Sequence, residues 1–196
     1  MLALAALGVT DIGENRDQEA AAKALATADA GVSVRWHYVG QLQRNKCRSV
    51  VTYADMVHSV DSVPLARALV AAADRYREQR LDVLVQISLD GNADRGGAIE
   101  GAADPEREVR AVVDALVGSP PLRLRGVMAV APLKWEPARA FERLAEVAAW
   151  IRADHPDATV ISAGMSGDLE EAVAAGATHV RLGSAILGNR LPPAVA

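Results

Sequence analysis

A single cysteine, Cys47, stands in a chain of 196 residues. A disulfide within the chain is therefore excluded, which suits a reducing compartment and a cytoplasmic protein. Lysine is scarce as well, with Lys23, Lys46 and Lys134 the whole complement. Aromatic residues make up only 4% of a chain that is 51% hydrophobic, so its core has to be aliphatic and alanine-rich. No basic stretch stands out against the net charge of −4, which sets nucleic acid aside as a partner. No apolar run approaches the roughly 18 residues needed to span a bilayer. The apolar residues 1–7 have no basic residue before Gly8 and read as the tail of a buried helix rather than a signal peptide. His37, His58, His155 and His179 are far apart in sequence and show no metal-ligand spacing, and no Ser-His-Asp arrangement can be picked out.

What is present is alternation. Seven short apolar segments, near Val9, Arg35, Met56, Val83, Gly126, Val160 and Val180, read as strands. The run over residues 81–89 is nearly continuously apolar, as in a parallel sheet covered on both faces. Between the strands lie helical patterns. Cys47, Val50, Val51 and Ala54 fall on one helical face, as do Leu65, Leu69, Ala72 and Tyr76. Val109, Val112, Val113 and Leu116 form a third stripe, capped by Asp104-Pro105 and ended by Gly118; Phe141, Leu144, Ala148 and Ile151 form a fourth. Residues 90–104, rich in Gly and Asp, read as a mobile loop. Strand and helix in strict turn, with short links, imply parallel strands and right-handed crossovers. A closed barrel of this kind needs eight strands, and the helix at residues 1–7 is what would follow a first strand lying upstream. The alternative, an open doubly wound sheet, would carry a Gly-rich turn after its first strand, whereas the first strand here ends in Gly13-Glu14-Asn15.

The chemistry gathers at strand ends. Val160-Ile161 runs into Ser162-Ala163-Gly164-Met165-Ser166-Gly167-Asp168, and Val180-Arg181-Leu182 runs into Gly183-Ser184. Two consecutive strands thus end in small residues whose amides and hydroxyls suit a phosphate, so Ser166, Gly183 and Ser184 are anion-binding candidates. Each taken alone also reads as a helix cap. Arg181, alone among apolar neighbours in its strand, needs an anion or an acceptor inside a barrel, and a structural ion pair serves as well as a ligand. Asn15 reads as a hydrogen-bonding group at the barrel mouth or as a turn residue before the next helix. His37 reads as a satisfied core or rim residue, or as part of a pocket.

Five blocks stand in order: Gly13-Glu14-Asn15-Arg16-Asp17-Gln18-Glu19; Trp36-His37-Tyr38-Val39-Gly40-Gln41-Leu42-Gln43-Arg44-Asn45-Lys46; Ser59-Val60-Asp61-Ser62; Gly164-Met165-Ser166-Gly167-Asp168; and Val180-Arg181-Leu182-Gly183-Ser184-Ala185-Ile186-Leu187-Gly188. On them the chain resembles the pyridoxal 5′-phosphate homeostasis proteins, the YggS/PROSC family, from residue 1 to about residue 190. The resemblance implies a (β/α)8 TIM-type barrel of the alanine racemase N-terminal type, here lacking the first strand, as one domain over residues 1–196. It implies a cytoplasmic protein that binds, buffers or delivers pyridoxal 5′-phosphate without catalytic turnover, with PLP-dependent apoenzymes as partners. Carried over, Arg181 faces the pyridine nitrogen, Ser166, Gly183 and Ser184 hold the phosphate, and Asn15 and His37 line the ring pocket.

The sequence departs from the family in two places. The family's Schiff-base lysine belongs to a segment upstream of Gly8, and none of Lys23, Lys46 and Lys134 matches it, so cofactor held by this chain is expected to be non-covalent. Asp94-Arg95-Gly96-Gly97 stands where family members often carry Ser-Lys-x-Gly. Two other functions are weighed: an alanine-racemase-like isomerase, which would need a lysine and a tyrosine on opposite faces of the ring, and a remnant barrel that binds a partner through an open strand edge, as a monomer or weak dimer.

Overall fold

A computed structural model describes residues 1–92 and 95–188. Asp94 and the stretch beyond Gly188 lie outside the described residues. Six of the seven expected strands form one sheet: β1 (Asp11–Glu14), β2 (Arg35–Tyr38), β3 (Met56–Val60), β4 (Leu81–Gln86), β5 (Leu122–Met128) and β6 (Val160–Ser162). Every pairing is parallel and strand neighbours follow chain order, β1-β2-β3-β4-β5-β6. The helices are α1 (Leu2–Ala6), α2 (Asp17–Asp29), α3 (Cys47–Tyr53), α4 (Val63–Tyr76), α5 (Val109–Val117), α6 (Pro137–Asp154), α7 (Leu169–Ala174) and α8 (Ser184–Leu187). Among the described residues no helix is long and apolar enough to cross a membrane.

Period-two alternation sorts the strand side chains into two layers. Leu81, Val83 and Val85 of β4, Leu122, Leu124 and Val127 of β5 and Tyr38 of β2 join the stripes of α3, α4, α5 and α6 in one continuous aliphatic core between sheet and helices. The opposite faces of β3, β4, β5 and β6 contribute Met56, Leu84, Met128 and Val160 to a second, small cluster inside the curve of the sheet. The curl is established by one contact. His58 of β3 and Ser162 of β6 meet at 2.9 Å although two strands lie between them, a separation of about 14 Å across a flat sheet. The architecture is therefore a partial (β/α) barrel.

The expected stripes are buried, with one exception. Tyr76, the last member of its stripe, is over a third exposed, with the Arg48 and Arg75 guanidiniums both over its ring. Four further expectations need correction. Residues 1–7 do form a helix, but α1 buries none of its residues, and Leu7 is 82% exposed. The segment around Val180 is not a strand. After an isolated Ser162–His179 bridge, the Arg181 N–H turns to the carbonyl of Gly164, a loop residue, and the ladder ends. Asp104 caps only the 3-10 turn Pro105–Arg107, while the Glu108 carboxylate caps α5 by accepting from the N–H groups of Arg110 and Ala111. The loop after β4 is partly packed, because Ala98 is buried and pairs with Ile87 as an isolated bridge.

Candidate functional site

The mouth at the carboxyl ends of the strands is built by β5, β6 and the segment that follows His179. Gly164 makes the turn out of β6 with φ +88°, and a Cβ there would lie 2.6 Å from that of Ala172 in α7. The Asp168 carboxylate closes the turn by accepting from the Met165 N–H at 2.6 Å. Ser166, Gly167, Gly183 and Ser184 are all exposed on this rim. A Cβ built on Gly167 or Gly183 meets nothing within 4 Å, so the space against their backbone is open.

Arg181 lies beneath that rim. Its Nη1 donates to the Ser162 carbonyl at 3.0 Å and to the Ser162 hydroxyl at 2.8 Å, and its Nη2 donates to the Ala129 carbonyl at 3.0 Å. The guanidinium is thus clamped across the ends of β5 and β6 by three neutral acceptors. Burial lowers its pKa from the usual arginine value, opposed by the charge of Asp168; arginine still keeps its proton under any ordinary condition.

The interior below Arg181 is polar. The Ser162 hydroxyl is 2.9 Å from His58 Nδ1, His58 Nε2 is 2.9 Å from His37 Nδ1, and His37 Nε2 is 2.9 Å from the Asp11 carboxylate. His179 brings a third imidazole, its ring centre 6.0 Å from that of His37. Burial, and then the charges of His37, Arg181 and His179, pull the His58 pKa down to about 2, so its ring is neutral. Burial raises the Asp11 carboxyl, but hydrogen bonds from Thr10, Arg35 and His37 outweigh it and hold the pKa at about 2.

The residues singled out in the sequence divide accordingly. Arg181, Ser166, Gly183 and Ser184 come together at one end of the barrel. His37 lies in the interior layer with both ring nitrogens engaged. Asn15 is exposed at the end of β1, its carbonyl pressed so closely on Gly40 that a Cβ there would lie 2.2 Å from the Asn15 oxygen. Asp11, His58 and Ser162 were missed. The available signal was a polar residue at an inward position on each of β1, β2, β3 and β6. Of the lysines, Lys23 pairs with Glu14 and Lys46 approaches Asp17, both on the helical side, while Lys134 is exposed in the turn after β5, on the mouth side of the strands.

The alanine racemase N-terminal domain family model matches residues 1–191. The chain is similar to a pyridoxal phosphate homeostasis protein of Mycobacterium leprae, 45% identical over 197 aligned residues covering 94% of this chain and 76% of that protein. A protein of the same name from Escherichia coli is 36% identical over 193 residues, covering 93% and 77%. Among solved structures, PipY of Synechococcus elongatus with PLP bound superposes with a TM-score of 0.75 at 35% identity, covering 88% of this chain and 78% of that one. Alanine racemase of Corynebacterium glutamicum is similar in fold alone, with a TM-score of 0.65 at 19% identity over 94% of this chain and 49% of the enzyme.

Proposed function

Since the chain belongs to the alanine racemase N-terminal domain family, among its pyridoxal phosphate homeostasis proteins, we propose that it binds pyridoxal 5′-phosphate. We further propose that it serves intracellular homeostasis of that cofactor, buffering or delivering it without turning over a substrate. The observation that carries the reading is Arg181, a cation clamped by three neutral acceptors directly below two small-residue turns with open space against their backbone. In this reading residues 1–196 are one cofactor-binding domain. Ser166, Gly183 and Ser184 hold the phosphate, Arg181 faces the ring nitrogen, and Asn15 and His37 line the ring pocket. Bound, the cofactor would supply an aldehyde and an electron-withdrawing ring. Arginine in place of a carboxylate at the ring nitrogen leaves that nitrogen unprotonated and weakens the ring as an electron sink, which suits storage better than catalysis. The PLP-bound PipY structure supports the ligand. None of Lys23, Lys46 and Lys134 matches the family's Schiff-base lysine, and in this reading the chain holds the cofactor non-covalently. PLP-dependent apoenzymes are the proposed recipients, and a cytoplasmic monomer or weak dimer the proposed form.

The alternative of a racemase-like isomerase requires an acid/base tyrosine over the ring. Tyr38 lies in the outer core with its hydroxyl toward the Gln41 carbonyl, Tyr53 bonds Asp17, and Tyr76 sits on α4 with two arginines over its ring, an arrangement that favours binding over isomerisation. A remnant barrel acting as an interaction module has one supporting feature, an apolar cleft of about 240 Å³ between β1 and the stretch from Val180 to Leu187.

Equilibrium dialysis with pyridoxal 5′-phosphate and with pyridoxal separates these readings. Saturable binding of the phosphorylated form, at least about tenfold weaker for pyridoxal or for Arg181→Ala, is expected. Failure to bind cofactor, combined with concentration-dependent association, would favour the interaction module. Racemisation of alanine above background would favour the isomerase.

A further inference from the structure

The polar groups beneath Arg181 admit one self-consistent assignment of hydrogens. A guanidinium only donates and an ionised carboxylate only accepts, whereas a hydroxyl and a neutral imidazole do both. Asp11, held ionised, must accept from His37 Nε2–H. His37 Nδ1 is then a lone pair and must accept from His58 Nε2–H. His58 Nδ1 is in turn a lone pair and accepts from the Ser162 hydroxyl, whose oxygen accepts from Arg181. Every donor points the same way, from Arg181 toward Asp11. Reversal at His58 would require His37 doubly protonated and would leave the hydroxyl hydrogen of fully buried Ser162 without an acceptor among the described residues.

We propose that Asp11, His37, His58 and Ser162 act as one directed hydrogen-bond chain across the barrel interior that orients Arg181. Asp11, His58 and Ser162 are thereby positioning residues of the mouth. Hydrogen bonds in series polarise one another in a low-dielectric interior. The carboxylate at one end makes the Ser162 oxygen at the other a stronger acceptor, and so fixes a guanidinium whose direct partners are all neutral. Three bonds engage Nη1 and Nη2, and the remaining N–H capacity of the side chain is left for a ligand. The link to a ligand rests on the cofactor reading given above; the chain itself does not.

The test uses the full chain labelled with nitrogen-15 at histidine, without ligand, near neutral pH, with ring tautomers read from long-range proton–nitrogen correlations. Both His37 and His58 are expected as the Nε2–H tautomer. Either ring as Nδ1–H, or His37 as imidazolium, overturns the proposal. In Asp11→Ala the Ser162 hydroxyl still fixes His58 and, through it, His37, so both rings are expected to keep Nε2–H. Asp11→Ala combined with Ser162→Ala removes both ends and is expected to free both rings together; loss of the bias at His37 alone in either variant reduces the chain to separate pairs and also overturns the proposal. Asp11→Ala and Ser162→Ala are each expected to weaken non-covalent pyridoxal 5′-phosphate binding about tenfold. If the wild-type chain binds no cofactor, the cofactor reading fails while the tautomers still judge the chain.

Discussion

Acidification should destabilise this protein well above the range where its carboxylates titrate. His58 is 2% exposed, and its pKa falls from 6.5 to about 2 on folding. Below the unfolded value the unfolded chain takes up a proton that the native ring refuses, so stability is full above pH 6.5 and is lost as pH falls toward the folded value. Between about pH 7 and about pH 5 this one ring removes about 2 kcal/mol. His179, also lowered by burial and by His37, acts in the same direction. Asp11, lowered from 3.8 to about 2, gives up its contribution only below that interval and does not enter. Urea titrations at a series of pH values, followed by tryptophan fluorescence, measure the slope, and His58→Gln identifies its source. The variant is expected to be less stable throughout but to lose less than the parent across the same interval. A wild-type stability flat to within about 0.5 kcal/mol from about pH 7 to about pH 5 would falsify the neutral, buried imidazole.

Ser162→Ala removes the hydroxyl that satisfies His58 Nδ1 and shares Arg181. One lost hydrogen bond and one orphaned buried nitrogen should together cost about 2–3 kcal/mol in urea unfolding, and a cost below about 0.5 kcal/mol would mean that water replaces the hydroxyl. Gly164→Val places a branched side chain at φ +88° and 2.6 Å from the Ala172 Cβ. A loss of at least about 1–3 kcal/mol and a lowered Tm are expected, and an unchanged Tm would show that the turn at the mouth adapts freely.

Much of the fold was legible because each segment carried its own periodicity. The α5 stripe Val109, Val112, Val113 and Leu116 is buried as its spacing requires. Three features were not legible, for physical reasons. An apolar helix needs a surface to bury against, and nothing in the composition of residues 1–7 says whether α1 has one. A strand needs a ladder, and Val180-Arg181-Leu182 has the residues of a strand but sends its backbone bond to a loop. The polar interior was hidden most deeply, since His58 and Ser162 meet across 104 residues of sequence and two intervening strands. Each polar residue alone looks like an exception within an apolar strand. Only the curl of the sheet turns four exceptions into one network. The placement of the small residues and Arg181 at the mouth was legible because it follows from local strand ends, while Asn15 and His37 were named without the contacts that now describe them.

Arg181→Lys tests whether the mouth needs a fork or merely a charge. The guanidinium reaches Ser162 through Nη1 and Ala129 through Nη2, so its two nitrogens bridge the ends of β5 and β6. A lysine has a single nitrogen at the end of its stem and can satisfy one of those directions at a time. If it keeps Ser162, the Ala129 carbonyl loses its donor; if it turns to Ala129, the carbonyl and hydroxyl oxygens of Ser162 lose theirs. Hydrogen bonds to charged groups contribute about 1.5–3 kcal/mol each, so a loss of about 2–4 kcal/mol in urea unfolding is expected. The charge survives the exchange, and dialysis against pyridoxal 5′-phosphate should therefore show weakened rather than abolished binding. Stability within about 0.5 kcal/mol of the parent, with binding unchanged, would mean that the mouth uses residue 181 as a point charge and that its clamp across the two strand ends is incidental.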